Sequence, residues 1–248
     1  MTKEHLNQNL QRLIGLEMIN TVQHYEEIHS TNGLAMDLIE KEDRSDGILI
    51  IADRQLMGRG RMSKKWHSPE GGIYFSLIIE KIFPTWFALI AALSILRALK
   101  MQRCADTTIK WPNDILLYDK KLAGILIQTK NDMTVLGIGI NTFDKEMINI
   151  DTATSIGPLS MDNKFDIIER TIINLKEMLD EIHETGFPAQ KKRLKENMAF
   201  LDKDIIIQNG DKEQEGKFID LSDDGAIVLD ICGQKKAIIT GSLIPKEA

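Results

Sequence analysis

Between Gln55 and Trp66 the chain reads Gln-Leu-Met-Gly-Arg-Gly-Arg-Met-Ser-Lys-Lys-Trp. Gly58 and Gly60 let the backbone take positive φ and lie close to a ligand. Arg59 and Arg61 offer planar, paired donors to a carboxylate or phosphate. The Trp66 indole offers a face on which a flat ring can stack. Such a loop can close over an anionic ligand that carries a base. By itself it also reads as a solvated surface turn, or as a phosphate contact to nucleic acid.

Three further stretches carry chemistry. Lys110-Trp111-Pro112-Asn113-Asp114 is followed, seven residues after Asp114, by Lys121-Leu122-Ala123-Gly124. Gly137-Ile138-Gly139-Ile140-Asn141 places glycines inside a strand, where they signal close approach of a ligand or another backbone. Ser30-Thr31-Asn32 stands before a helical run and reads as an N-cap; hydroxyls at a helix start can also face a ligand.

Composition narrows the reading. The 248 residues suffice for one large domain, or a medium domain and a small one. A net charge of -6 argues against a general nucleic-acid binder, so the cations of residues 59–65 are a local feature. Cys104 and Cys232 fit no metal spacing and read as free, buried thiols of a reducing cytosol. His5, His24 and His29 read as surface or packing histidines, with no partner one helical turn away. Residues 1–9 are polar and not a signal peptide. The apolar run from Trp86 to Leu99 is too short for a membrane span and is broken by Ser94 and Arg97.

The elements that must position these residues follow from periodicity. Helices are expected over 4–21, from about 31 to 40, over 85–100 after Pro84, over 165–185, and from Pro188 to about Phe200. Strands are expected over 48–52, 73–80 and 134–141, with two more inside 110–127 joined by a turn at Asp119-Lys120. Residues 145–163 read as an irregular connection. From Leu201 short β runs alternate with Asn209-Gly210 and Asp224-Gly225, both hairpin signals. The expected fold class is α+β: a mixed, mainly antiparallel sheet with helices on one face over residues 1–200, and a small C-terminal β domain or barrel over 201–248. That barrel lacks the aromatic pairs of a nucleic-acid binder.

In their order and combination these stretches resemble the biotin protein ligases, the biotin–[acetyl-CoA-carboxylase] ligases, from about residue 25 to the end. The resemblance implies a class II synthetase-like catalytic fold with a small SH3-like β-barrel. Five positions depart from the common pattern: Ser63 and Lys64 stand for glycine and arginine, Gln128 for glutamate, and Thr142-Phe143 differs after Gly-Ile-Asn. Many bacterial relatives carry an N-terminal winged-helix DNA-binding domain. Only 29 residues precede Ser30 here, so the expectation is the monofunctional subgroup, without DNA binding.

The implied reaction adenylates biotin with ATP to biotinyl-5′-AMP, then transfers biotin to a lysine of a biotin carboxyl carrier protein. A carboxylic acid of pKa about 4 to 5 is already ionised and needs no general base; cations at the carboxylate and the α-phosphate are what the first step requires. By resemblance, Lys121 and Arg61 are catalytic, with Lys121 bridging carboxylate and phosphate. Biotin contacts fall to Ser30, Thr31, Asn32, Gln55, Gly58, Arg59, Gly60, Arg61, Lys121 and Gly124. ATP contacts fall to Arg59, Arg61, Trp66, Lys110, Lys121 and Asn141. Gly71, Gly72 and Gly139 would admit the ligand, Lys64 and Lys65 are exposed loop charges, and Trp111 belongs to the core. Asp114 could neutralise the incoming lysine, hold magnesium or brace Arg61. Mg2+ would be carried by the phosphates, without a protein ligand set of its own. The resemblance further implies a cytoplasmic enzyme with no membrane contact, dimerising in some relatives. The alternatives are a lipoate or octanoate ligase, whose substrate lacks the ureido head, and a nonenzymatic biotin sensor.

Overall fold

The computed structural model describes residues 3–41, 46–101, 106–144 and 151–246. Cys104 and the start of the expected irregular connection, 145–150, lie outside them. Helix α1 spans Lys3–Ile14. It ends seven residues earlier than periodicity predicts, because residues 21–28 form a strand, β1 (Thr21–Ile28), that periodicity misses. β1 mixes charged and apolar residues on both faces, so alternation gives no signal. It pairs in parallel with β2 (Ile48–Gln55), from Thr21↔Ile48 to Ile28↔Gln55. Helix α2 (Thr31–Lys41) makes the crossover between them.

β3 (Ile73–Ile79) and α3 (Phe87–Met101) follow, then β4 (Thr107–Lys110), β5 (Asp114–Leu117), β6 (Lys120–Lys130) and β7 (Met133–Ile140). The seven strands lie in the order β1-β2-β3-β7-β6-β5-β4, antiparallel except for β1 with β2. Residues 110–127 thus hold parts of three strands rather than two. The β5–β6 turn is centred on Tyr118 and Asp119, with φ of 51° and 59°, one residue earlier than expected. Left-handed residues at both central positions match the strand twist of a tight hairpin.

Side chains alternate between the two faces of the sheet. Leu49, Ile51, Phe75, Leu77 and Leu136 enter the main core, to which α1, α3, α4 (Met161–Thr185) and α5 (Pro188–Lys195) also contribute. Ile50, Ile78 and Val135 face the other way, against Ala35 and Ile39 of α2. The mixed sheet is the expected one, but its helices divide: α2 stands on the face opposite the others. α5 stops at Lys195, short of the expected Phe200. α3 is buried almost all round, as a helix between a sheet and a second helical layer must be.

The C-terminal strands are β8 (Asp204–Asn209), β9 (Lys212–Leu221), β10 (Ile227–Ile231), β11 (Gln234–Ile238) and β12 (Ser242–Pro245). They form an antiparallel sheet in the order β11-β10-β9-β8-β12. Among the described residues no pairing closes β11 onto β12. Ile205, Phe218, Leu229 and Leu243 join the same core as α3. Trp111 is buried as expected and donates its indole N–H to Gly225 O at 3.1 Å, tying the two sheets together. Cys232 is free and exposed, not buried, because it occupies the β10–β11 turn. Among the described residues no helix is long and apolar enough to cross a membrane.

Candidate active site

A cavity of about 580 Å³ opens on the α2 face of the sheet, bounded by the start of α2, the 55–66 loop, β6 and β7. That volume is in the range of small-molecule sites. Its closed end is polar and neutral. Ser30 Oγ accepts from Gly33 N at 3.3 Å, which is the N-cap bond of α2. Gln55 Oε1 accepts from the Thr31 N–H at 2.9 Å and its hydroxyl at 3.1 Å. Gln55 Nε2 donates to Ser68 Oγ at 2.9 Å. The Ser76 hydroxyl lies 2.8 Å from Thr31 Oγ1 and 2.7 Å from Asn32 Oδ1, and Asn32 Nδ2 donates to Gln128 Oε1 at 3.1 Å.

These bonds decide what remains for a ligand. The Gln55 carbonyl oxygen has both lone pairs engaged within the protein. Each amide nitrogen, of Gln55 and of Asn32, has one N–H beyond those bonds, and Ser30 has its hydroxyl proton. Gln128, where the pattern has glutamate, is a neutral acceptor for Asn32. Gly137 makes room for the network: a Cβ there would lie 1.8 Å from Asn32 Oδ1.

The other end is cationic. The 55–66 loop folds as a small hairpin, with Trp66 N donating to Gly58 O at 2.9 Å and Gly60 N to Lys64 O at 2.7 Å. Arg61 donates to Asn113 Oδ1 at 2.9 Å and to Gly241 O at 3.4 Å. Burial lowers its pKa below the ordinary guanidinium range, against the pull of Asp114. Asn113 is itself held by donating to Ile125 O at 2.7 Å. Lys121 Nζ lies 2.7 Å from Asp114 Oδ1 and 5.1 Å from the Trp66 ring centre. Burial lowers the Lys110 pKa from 10.5; Asp114 opposes this, while Lys121 and Lys64 add to it. One carboxylate therefore faces a group of cations, a field suited to a polyanion.

Trp66 lies flat on the sheet where two strands lack side chains: a Cβ at Gly124 would come within 2.9 Å of its ring, and one at Gly139 within 2.4 Å of Nε1. The Trp66 Nε1 atom is buried and makes no hydrogen bond. Asn141 lines the cavity, yet its amide donates to Thr154 O at 2.9 Å, holding residues 152–154 beside Lys121.

Of the residues singled out from sequence, Ser30, Thr31, Asn32, Gln55, Arg59, Gly60, Arg61, Trp66, Asp114, Lys121, Gly124 and Asn141 line this one cavity. Gly58 is buried behind it, and Lys110 stands beside Asp114 in the sheet without lining it. Sequence reasoning missed His67, Phe143, Ala153 and Ser242, which also line it. It placed Asn113 within its motif without a role. His67 packs edge-on against Phe143, with ring centres 6.2 Å apart. Nothing local marks Ala153 or Ser242, which arrive from distant segments. Among the described residues no three His, Cys, Asp or Glu side chains converge as a metal site, and Asp114 is the single carboxylate lining the cavity.

Residues 25–142 match the family described as Biotin/lipoate A/B protein ligase. This segment belongs to that family. The bifunctional ligase/repressor BirA of Bacillus subtilis is 28% identical over 222 residues, 83% of this chain and 68% of that protein. The biotin–[acetyl-CoA-carboxylase] ligase of Paracoccus denitrificans is 26% identical over 81% of this chain and 90% of its own length. Among solved structures, the biotin protein ligase from Aquifex aeolicus in complex with biotin and ATP superposes with a TM-score of 0.79 at 26% identity, covering 92% of this chain and 99% of that one. The α+β architecture, with its large mixed sheet and C-terminal antiparallel sheet, is that of the biotin protein ligases.

Proposed function

We propose that this chain is an ATP-dependent biotin ligase, forming biotinyl-5′-AMP and passing biotin to a lysine of a biotin carboxyl carrier protein. The observation that carries the proposal is one cavity with a neutral, hydrogen-bonding closed end and a cationic end joined at Lys121. A ureido ring is polar but uncharged, and burying it requires partners for its N–H and C=O groups. An unpaired one costs about 1 to 3 kcal/mol. Ser30, Asn32 and Gln55 offer such partners, with Thr31 setting the orientation of Gln55. The bicyclic body would lie against Trp66 and the bare strands at Gly124 and Gly139, directing the carboxylate to Lys121.

In the first step a biotin carboxylate oxygen attacks the α-phosphorus of ATP, and the bond to pyrophosphate breaks. Two anions must meet, so the required help is positive charge rather than a base. Lys121 and Arg61 supply it at the reacting groups, Arg59 over the loop, and Lys110 from behind Asp114. In the second step the carrier's amine attacks the acyl carbon, AMP leaves and a proton is released. The hairpin loop over the cavity keeps water from the anhydride meanwhile. A magnesium ion would add charge neutralisation at the phosphates. With Asp114 as the single cavity carboxylate, that ion would be held chiefly by the nucleotide, as Mg2+ usually is.

The remaining expectations belong to the same proposal. Residues 1–200 form the catalytic unit and 201–248 a smaller β unit that reaches the cavity through Ser242. The chain works in the cytoplasm, where ATP and carrier meet. The matched family includes lipoate ligases, but a lipoyl group has no ureido ring to pair with the Ser30–Gln55 end. Pyrophosphate exchange into ATP, run with biotin, lipoate and octanoate in turn, tests the reading. Exchange with biotin alone is expected. Exchange with lipoate or octanoate moves the chain to the other branch of the family, and binding of biotin without exchange makes it a sensor.

A further inference from the structure

The tip of the loop hairpin is built from residues that disfavour its shape. Lys64 N donates to Arg61 O at 3.1 Å, closing a turn whose central residues are Met62 and Ser63. Both are left-handed, with φ of 53° and 58°. A pair of left-handed residues is what a type I′ turn requires, and Asn-Gly or Gly-Gly normally supply it. Methionine and serine both carry a Cβ that crowds the backbone there. Both side chains are exposed, so no burial offsets this cost. The arms are held instead: Arg59 pairs with Lys65, Gly60 N bonds to Lys64 O, and Arg61 reaches Asn113 and Gly241.

We propose that Ser63 sets how long the acyl adenylate stays in the cavity, by making the closed hairpin costly; this rests on the ligase reading above. Opening the hairpin releases the left-handed pair and withdraws Arg61 from the cavity. A glycine at 63 removes the crowding, and a β-branched valine increases it.

The experiment compares full-length wild type, Ser63→Gly and Ser63→Val. Hydrogen exchange of the Gly60 and Lys64 amides is measured in the free protein, and dissociation of biotinyl-5′-AMP is followed by tryptophan fluorescence. Ser63→Gly is expected to protect both amides and slow dissociation by about fivefold, the factor that one left-handed residue is worth. Ser63→Val is expected to shift both the other way. Exchange and dissociation equal in all three proteins overturn the proposal. If wild type binds no biotinyl-5′-AMP, the ligase reading falls, and the exchange series still decides whether Ser63 governs the hairpin.

Discussion

Lys121 Nζ and Asp114 Oδ1 meet at 2.7 Å across the β5–β6 hairpin, whose register slips between Ile115 and Leu116. Because of the slip, Lys121 pairs with Leu116 and Asp114 with Gly124, and the two side chains converge beneath Trp66. The same carboxylate also acts on Arg61 and Lys110. One anion thus keeps several cations together until a polyanionic substrate arrives.

Removing either partner has opposite consequences. Lys121→Ala is expected to lower pyrophosphate exchange by about 10²- to 10³-fold, the usual loss of one charge-stabilising donor. Biotin affinity by calorimetry should change far less, since the ureido end is untouched; an equal fall in both would place Lys121 in binding alone. Asp114→Asn leaves the cations unbalanced. Its free protein should melt lower, and its affinity for inorganic pyrophosphate should rise, more so at low ionic strength.

Lys110 carries a stability cost for the sake of charge. Its folded pKa lies below its ordinary 10.5 because burial disfavours the ammonium. The unfolded chain therefore holds more protons between those two values, and stability rises with pH through that window. Below it the cost is fully present. Lys110→Met is expected to raise the melting temperature at neutral pH by roughly 2 to 4 °C, flatten the rise toward alkaline pH, and weaken ATP binding. Parallel melting curves for both proteins from neutral to alkaline pH would refute the assignment.

The absence of a side chain at Gly137 is as specific as any contact. An added methyl would overlap Asn32 Oδ1, 1.8 Å away, and Asn32 is pinned by Ser76 and Gln128. Gly137→Ala is expected to cost about 1 to 3 kcal/mol in urea unfolding, as overpacking does, and to abolish biotin binding. Unchanged biotin affinity would show that the Asn32 network is not the ligand's seat.

Asn113 positions Arg61, and its own place is set by Ile125 O. Asn113→Ala should leave the fold intact and free the guanidinium. Tryptic cleavage at Arg59 and Arg61 should quicken in the free protein, and ATP affinity should fall by roughly 10- to 100-fold, the worth of one hydrogen bond to a charged group. Wild-type cleavage rates would remove Asn113 from that role.

Motifs whose parts lie close together along the chain are legible in the amino-acid sequence itself. The Ser30 cap is a bond between residues three apart, the Asn209-Gly210 and Asp224-Gly225 turns are local φ preferences, and the glycines at 124, 137 and 139 mark bare strands. Their order alone points to the family and to a site rich in cations. Other features need the folded chain. β1 has no periodicity of its own and exists because β2 pairs with it. α2 lies opposite the other helices because Ile48 and Ile50 alternate away from Leu49 and Ile51. Whether Gln55 offers its carbonyl or its amide to a ligand depends on Thr31 and Ser68. Arg61 meets the Gly241 carbonyl from 180 residues away. Local energies write turns, caps and strand composition into the sequence, whereas long-range pairing and hydrogen-bond satisfaction are settled only when distant segments are packed together.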